Sequence, residues 1–140
     1  MTDVKRVVVL GASGFLGSAV ANALDARGHQ VTRTRAPRLP AMDPGTAALY
    51  IAEHSTVVQE LARDLDGYHA VVNCAGDPDA SSRDTRALTA VNGTLPGLVG
   101  AAVAAAGNPR FIHISSAVVQ GRLPELDESD TTDAFSDYSK

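Results

Sequence analysis

Val7-Val8-Val9-Leu10 is a continuous apolar, β-branched run closed by Gly11, the pattern of a strand buried on both faces. From Phe15 the period changes. Apolar residues fall at Phe15/Leu16, Ala19/Val20 and Ala23/Leu24, and Gly28 follows Arg27 as a C-terminal cap would, so a helix follows the strand. A second extended piece spans Gln30 to Arg35. The Pro-rich stretch at 36–45 reads as a loop, and Val57, Val58, Leu61, Ala62 and Leu65 share one face of a helix from Ser55 to Leu65, ended by Gly67. Residues 68–76 and 110–116 are again short apolar runs closed by small polar residues. Between them a helical pattern runs from about Arg83 to Ala106, with Leu88, Val91, Leu95, Leu98, Val99, Ala102, Val103 and Ala106 alternating steps of three and four. Pro96 interrupts it, lacking an amide hydrogen and clashing with the carbonyl four residues back, so a kink or break is expected there.

Strand and helix alternate throughout, which predicts an α/β fold: a Rossmann-like, doubly wound parallel sheet with ligands at the carboxyl ends of its strands. Residues 1–140 read as a single domain.

The glycine turn Gly11-Ala12-Ser13-Gly14-Phe15-Leu16-Gly17 lies directly between the first strand and the first helix. Free amides at a helix N-terminus bind a dinucleotide pyrophosphate. A β-carbon at Gly14 would hold the backbone off the phosphates, and one at Gly17 would push the helix off the sheet. Against the usual G-x-G-x-x-G spacing, Ala12 occupies the first glycine position and Gly11 sits one residue earlier. The acidic residue that normally follows about 20 positions on is absent, and Arg33, Arg35 and Arg38 stand there instead. Arg33 and Arg35 are candidates to pair with a 2′-phosphate, which favours NADP with NAD as the alternative; the competing reading is a set of solvated arginines at a strand end.

A net charge of −4 argues against a sequence-independent grip on nucleic acid or anionic lipid. The one cysteine, Cys74, forms no internal disulfide and reads as a small buried hydrophobe. The N-terminal apolar run is too short for a signal segment or membrane span, which gives a cytoplasmic address as the default. His29, His54, His69 and His113 show no metal-ligand spacing, so no metal is expected.

Five segments in order resemble the extended short-chain dehydrogenase/reductase family, the NAD(P)-dependent epimerase/dehydratase group that acts largely on nucleotide sugars. They are VVVLGASGFLGSAV at the glycine turn, AVVNCAG at 70–76, AVNGT at 90–94, RFIHISSAVVQG at 110–121, and DYSK at 137–140. The resemblance covers essentially the whole chain. It implies that Asn73, Cys74, Ala75 and Gly76 lie beside the nicotinamide ribose, that Ser116 hydrogen-bonds the reacting oxygen, and that Tyr138 is the acid/base. A phenol in that role works far below the roughly 10 of free tyrosine, which a nearby ammonium secures. Two departures stand out. The family's Asn-Val-x-Gly-Thr is Ala90-Val91-Asn92-Gly93-Thr94 here, so no proton-relay role passes to Asn92; and Val118-Val119-Gln120-Gly121 stands where Val-Tyr-Gly is common.

The resemblance also implies a lysine four residues after Tyr138. Lys140, two residues on and about 200° round a helix, is a poor substitute. The chain is therefore expected to be truncated before the last strands and the substrate lobe, and to turn over slowly or not at all by itself. The implied reaction is hydride transfer on a small molecule, a nucleotide sugar or related keto or hydroxy compound, with a homodimer possible at full length. A non-catalytic NAD(P)-binding or sensor module of the same fold is the alternative, and an open sheet that merely associates through its unsealed edge is a third reading.

Overall fold

Strand β1 (Arg6–Leu10) is apolar without alternation because both its faces are covered. Val7 and Val9 pack with Val72 and Ala21 in one layer, while Val8 and Leu10 pack with Val71 and the helices of the other. The computed structural model describes residues 3–136 together with Tyr138 and Ser139. Its sheet is parallel and runs β2–β1–β3–β4, with β2 at Gln30–Thr34, β3 at Ala70–Asn73 and β4 at Arg110–His113.

Helix α1 (Phe15–Ala26) lies on the Val7/Val9 face and returns the chain to β2. It ends in a Schellman cap: Gly28, at φ +83°, donates to the Asp25 carbonyl, and His29 donates to that of Leu24. From β2 the chain crosses to the opposite face through α2 (Ala47–Glu53) and α3 (Ser55–Leu65). The pattern predicts α3 with these bounds but gives no sign of α2, which buries none of its residues.

Helix α4 occupies Thr85–Ala105 without a break and packs beside α3 over the sheet, burying Leu95, Leu98, Val99, Ala102 and Val103. Its length and apolar composition would also suit a membrane span, but here that apolar face covers the core. Of the kink or break expected at Pro96, the break is not observed, and the helix stays continuous while leaving regular α geometry just before the proline. The helix instead widens to π geometry over Thr89–Thr94, where the Leu95 amide bonds the Ala90 carbonyl five residues back. A widened turn moves the upstream carbonyls off the proline ring and needs no amide hydrogen at residue 96, so the helix passes the proline intact.

Candidate functional site

The chain runs from β1 to β2 on one side of the sheet and then crosses to β3 on the other, so the switch point lies between the carboxyl ends of β1 and β3. The glycine turn occupies that point. Gly11, at φ +75°, brings its backbone so close to the β3 exit that a β-carbon there would lie 2.8 Å from the Ala75 nitrogen. At Gly17 a β-carbon would fall 2.2 Å from the Gly11 carbonyl oxygen, and at Gly14 3.3 Å from the same atom. Gly14 caps α1 with no side chain, and no acidic residue stands in the first turn, so the free amides of that turn face outward with the positive end of the helix dipole. Backbone without β-carbons, backed by unpaired amides, fits the pyrophosphate of a dinucleotide.

The β3 exit is held from two sides. Fully buried Asn73 accepts from the Ala75 amide at 3.1 Å and donates to Nδ1 of His113, its register partner on β4, at 3.2 Å. An amide nitrogen only donates, so Nδ1 of His113 accepts and the neutral ring carries its proton on Nε2. Desolvation holds the His113 pKa below that of free histidine, with a partial offset from the Asn73 backbone. From the other side, Asn92 in the π turn accepts from the Asp77 amide at 2.8 Å and donates to the Asp77 carbonyl at 3.1 Å. Cys74 lies at the junction, and burial pushes its thiol pKa up.

A cavity of about 1010 Å³ opens over these elements. Gly14, Phe15 and Leu16 line it from the glycine turn, Cys74, Ala75 and Gly76 from the β3 exit, His113 from the end of β4, and Ser116, Val119 and Tyr138 from beyond it. Ser116 begins a 3-10 turn at Ala117–Gln120, where its oxygen accepts from the Val118 amide at 3.4 Å and its hydroxyl hydrogen is left to donate elsewhere. Ser136 and Ser139 cap each other reciprocally around Tyr138: each amide donates to the other's hydroxyl oxygen, at 3.1 and 3.3 Å. A smaller cavity of about 430 Å³ adjoins, walled by Gly11, Ser13 and Gly14, by Ala36–Leu39, and by Cys74–Gly76.

Most of the residues singled out in the sequence thus meet at one place, although they come from five separate segments. Ala12 is buried behind the glycine turn among Val7, Val9 and Ala21, and Asn73 sits behind the cavity wall it orders. The arginines divide. Arg33 bonds Asp25 at 2.5 Å and Asn22 at 2.9 Å across α1, Arg35 lines neither cavity, and Arg38 lines the smaller one. Lys140 lies outside the described residues. Among the described residues no group of three His, Cys, Asp or Glu side chains is placed to hold a metal ion.

Residues 7–140 match the NAD dependent epimerase/dehydratase family. No curated protein matches the sequence. Among solved structures, a UDP-glucose-4-epimerase from Stenotrophomonas maltophila with bound NAD and formylated UDP-arabinopyranose is 20% identical, over 96% of this chain and 44% of that one, with a TM-score of 0.72. An NAD-dependent NDP-hexosamine 5,6-dehydratase of tunicamycin biosynthesis is 23% identical over 96% and 45%, with a TM-score of 0.70. A dTDP-4-dehydrorhamnose reductase from Bacillus anthracis in complex with NADP is 22% identical over 99% and 46%, with a TM-score of 0.68. These likenesses show the fold, and the chain spans about half the length of the solved structures it matches. With the family match running from β1 to the last residue, and the glycine turn at the switch point of the sheet, the chain belongs to the NAD dependent epimerase/dehydratase family.

Proposed function

We propose that this chain is the cofactor-binding domain of an NAD(P)-dependent oxidoreductase, epimerase or dehydratase that acts by hydride transfer on a nucleotide sugar or a related keto or hydroxy substrate. The observation that carries the reading is that Ser116 and Tyr138, 22 residues apart, line the same cavity as the glycine turn and the β3 exit. Gly14–Leu16 and Cys74–Gly76, on the cavity wall, would hold the nicotinamide end of a bound dinucleotide, which would supply hydride chemistry there. Tyr138 exchanges the proton of the substrate oxygen through its phenol, and Ser116 donates its free hydroxyl hydrogen to that oxygen and orients it. Positioned proton transfer of this kind contributes about 10²–10⁴-fold to rate.

The smaller cavity takes the adenosine end. Arg38, on its wall beside Ala36 and Pro37, pairs with a 2′-phosphate and sets a preference for NADP. Arg33 is the weaker candidate, because its Nη2 is turned across α1 to Asp25 and Asn22 and it lines neither cavity.

Calorimetric titration with NADPH and NADH, followed by a turnover screen on UDP- and dTDP-linked 4-keto and 4-hydroxy hexoses, tests the reading. NADPH is expected to bind about tenfold or more tighter than NADH. Binding of neither dinucleotide would overturn the proposal. Because residues 1–140 alone are expected to turn over slowly or not at all, the turnover screen is run on the full-length protein, where binding without turnover of any sugar nucleotide would leave a sensor in its place.

A further inference from the structure

Between Ser116 and Tyr138 the chain leaves the cavity and returns to it, and one buried side chain closes that excursion. Gln120 is the last residue of the turn that Ser116 begins and is only 7% exposed. Its Nε2 donates to the Asp127 carbonyl at 2.9 Å and reaches the Ser129 carbonyl at 3.4 Å, while its Oε1 accepts from the Asp127 amide at 3.2 Å. Both ends of the amide therefore grip the middle of the loop. The base of the loop closes next to it: the Asp133 amide donates to the Val119 carbonyl at 3.0 Å, and Gly121, at φ +66°, lies so close to Asp133 that a β-carbon would meet its carbonyl oxygen at 1.9 Å. The Arg122 guanidinium sits 5.5 Å from the ring centre of Phe135, just before the serine cap around Tyr138.

A buried amide left unpaired is costly, so this geometry holds only if the loop keeps its closed form. Gln120 does not line the cavity, and its side-chain bonds all go to the loop that leads back to Tyr138. We infer that Gln120 is a positioning residue that holds the Ser116 turn and the Tyr138 cap in register on one cavity wall. The inference rests on the catalytic reading of Ser116 and Tyr138 given above.

Two variants test it on the protein as encoded. Gln120→Met removes both ends of the amide at similar length, and Asp127→Pro removes the partner amide from the exposed side of the loop, which covers the case in which the first variant fails to fold. Each is read by hydrogen exchange over residues 122–133, by NADPH affinity, and by turnover. Exchange is expected to rise about tenfold or more at the Asp127 amide in Gln120→Met, which loses its acceptor, and at the Asp133 amide in both variants, because its bond to the Val119 carbonyl is kept only while the loop stays closed. Turnover falls about tenfold or more while NADPH affinity stays within about twofold, since the glycine turn and β3 exit are untouched. Gln120→Glu keeps the acceptor for the Asp127 amide but sets a second acceptor oxygen against the Asp127 and Ser129 carbonyls, so it falls at least as far as Gln120→Met. Unchanged exchange, or loop opening with turnover intact, would overturn the inference. Ser116→Ala separates the two levels: if it runs at the wild-type rate the catalytic reading fails and takes this inference with it, whereas a slow Ser116→Ala beside a fast Gln120→Met sinks the inference alone.

Discussion

Asn92 grips the backbone of Asp77 with both ends of its amide, taking the Asp77 N–H at 2.8 Å and giving a hydrogen to its carbonyl at 3.1 Å. The π turn over Thr89–Thr94 carries Asn92 to the β3 exit, and a β-carbon at Gly76 would sit 3.2 Å from the Asn92 oxygen. Asn92→Ala strips both partners from a half-buried peptide, at a cost of about 1–3 kcal/mol. It is expected to lower the melting temperature and weaken NADPH binding about tenfold, because Cys74–Gly76 then move on the cavity wall. Thermal unfolding and a cofactor titration check this, and wild-type affinity in the variant would contradict it.

The glycines of the cofactor turn differ in what they tolerate. Gly17→Ala places a methyl 2.2 Å from the Gly11 carbonyl oxygen, so α1 must shift, at a cost of about 1–3 kcal/mol or more, and NADPH binding is lost. Gly28→Ala is the control. Its φ of +83° strains an alanine by about 1–2 kcal/mol, but no atom lies within 4 Å of the added methyl, so cofactor affinity stays unchanged. Equal affinity losses at the two positions would show that the turn is not the binding element.

If Arg38 pairs with the 2′-phosphate as proposed, Arg38→Ala is expected to weaken NADPH binding about tenfold or more and to leave NADH binding unchanged, because only NADPH carries that phosphate. Arg33→Ala breaks a pair with Asp25 whose side chains are both about 40% exposed, so it changes stability by no more than about 1 kcal/mol and spares NADPH. The reverse pattern would move the phosphate contact to Arg33.

His113 makes stability depend on pH. Its pKa is lowered in the folded state, chiefly by desolvation, so the unfolded chain binds more protons between that lowered value and the ordinary 6.5. Stability rises with pH across this window, is fully present above it, and is lost as the solution is acidified through it. Protonation of Nδ1 also removes the acceptor that holds Asn73. Melting temperatures from pH 7.5 down to 5 should fall more steeply for the wild type than for His113→Leu, and parallel curves would contradict the assignment.

The sheet core was legible because Val7–Leu10 supply both layers at once, and a short apolar run without alternation, closed by glycine, suits a strand covered on both sides. α2 was not, since Ala47–Glu53 buries no residue and its place depends on tertiary contacts such as Ile51 against Gly97. Pro96 announces a missing amide but not that the turn before it can widen, so the sequence predicts a kink or break where the structure has a continuous helix with a π turn that brings Asn92 to Asp77. Three arginines follow β2 in sequence. Which one meets the cavity depends on Asp25 and Asn22 across α1, and spacing carries no sign of that.

Catalysis in the proposed reaction requires Ser116 and Tyr138 to act together over a bound dinucleotide. The most direct measurement is NADPH affinity and turnover for Ser116→Ala and Tyr138→Phe, side by side with the wild type, on the sugar nucleotide that the screen identifies. Both variants are expected to bind NADPH within about threefold of wild type while turnover falls about 10²-fold or more. Turnover at the wild-type rate in either variant would contradict the assignment.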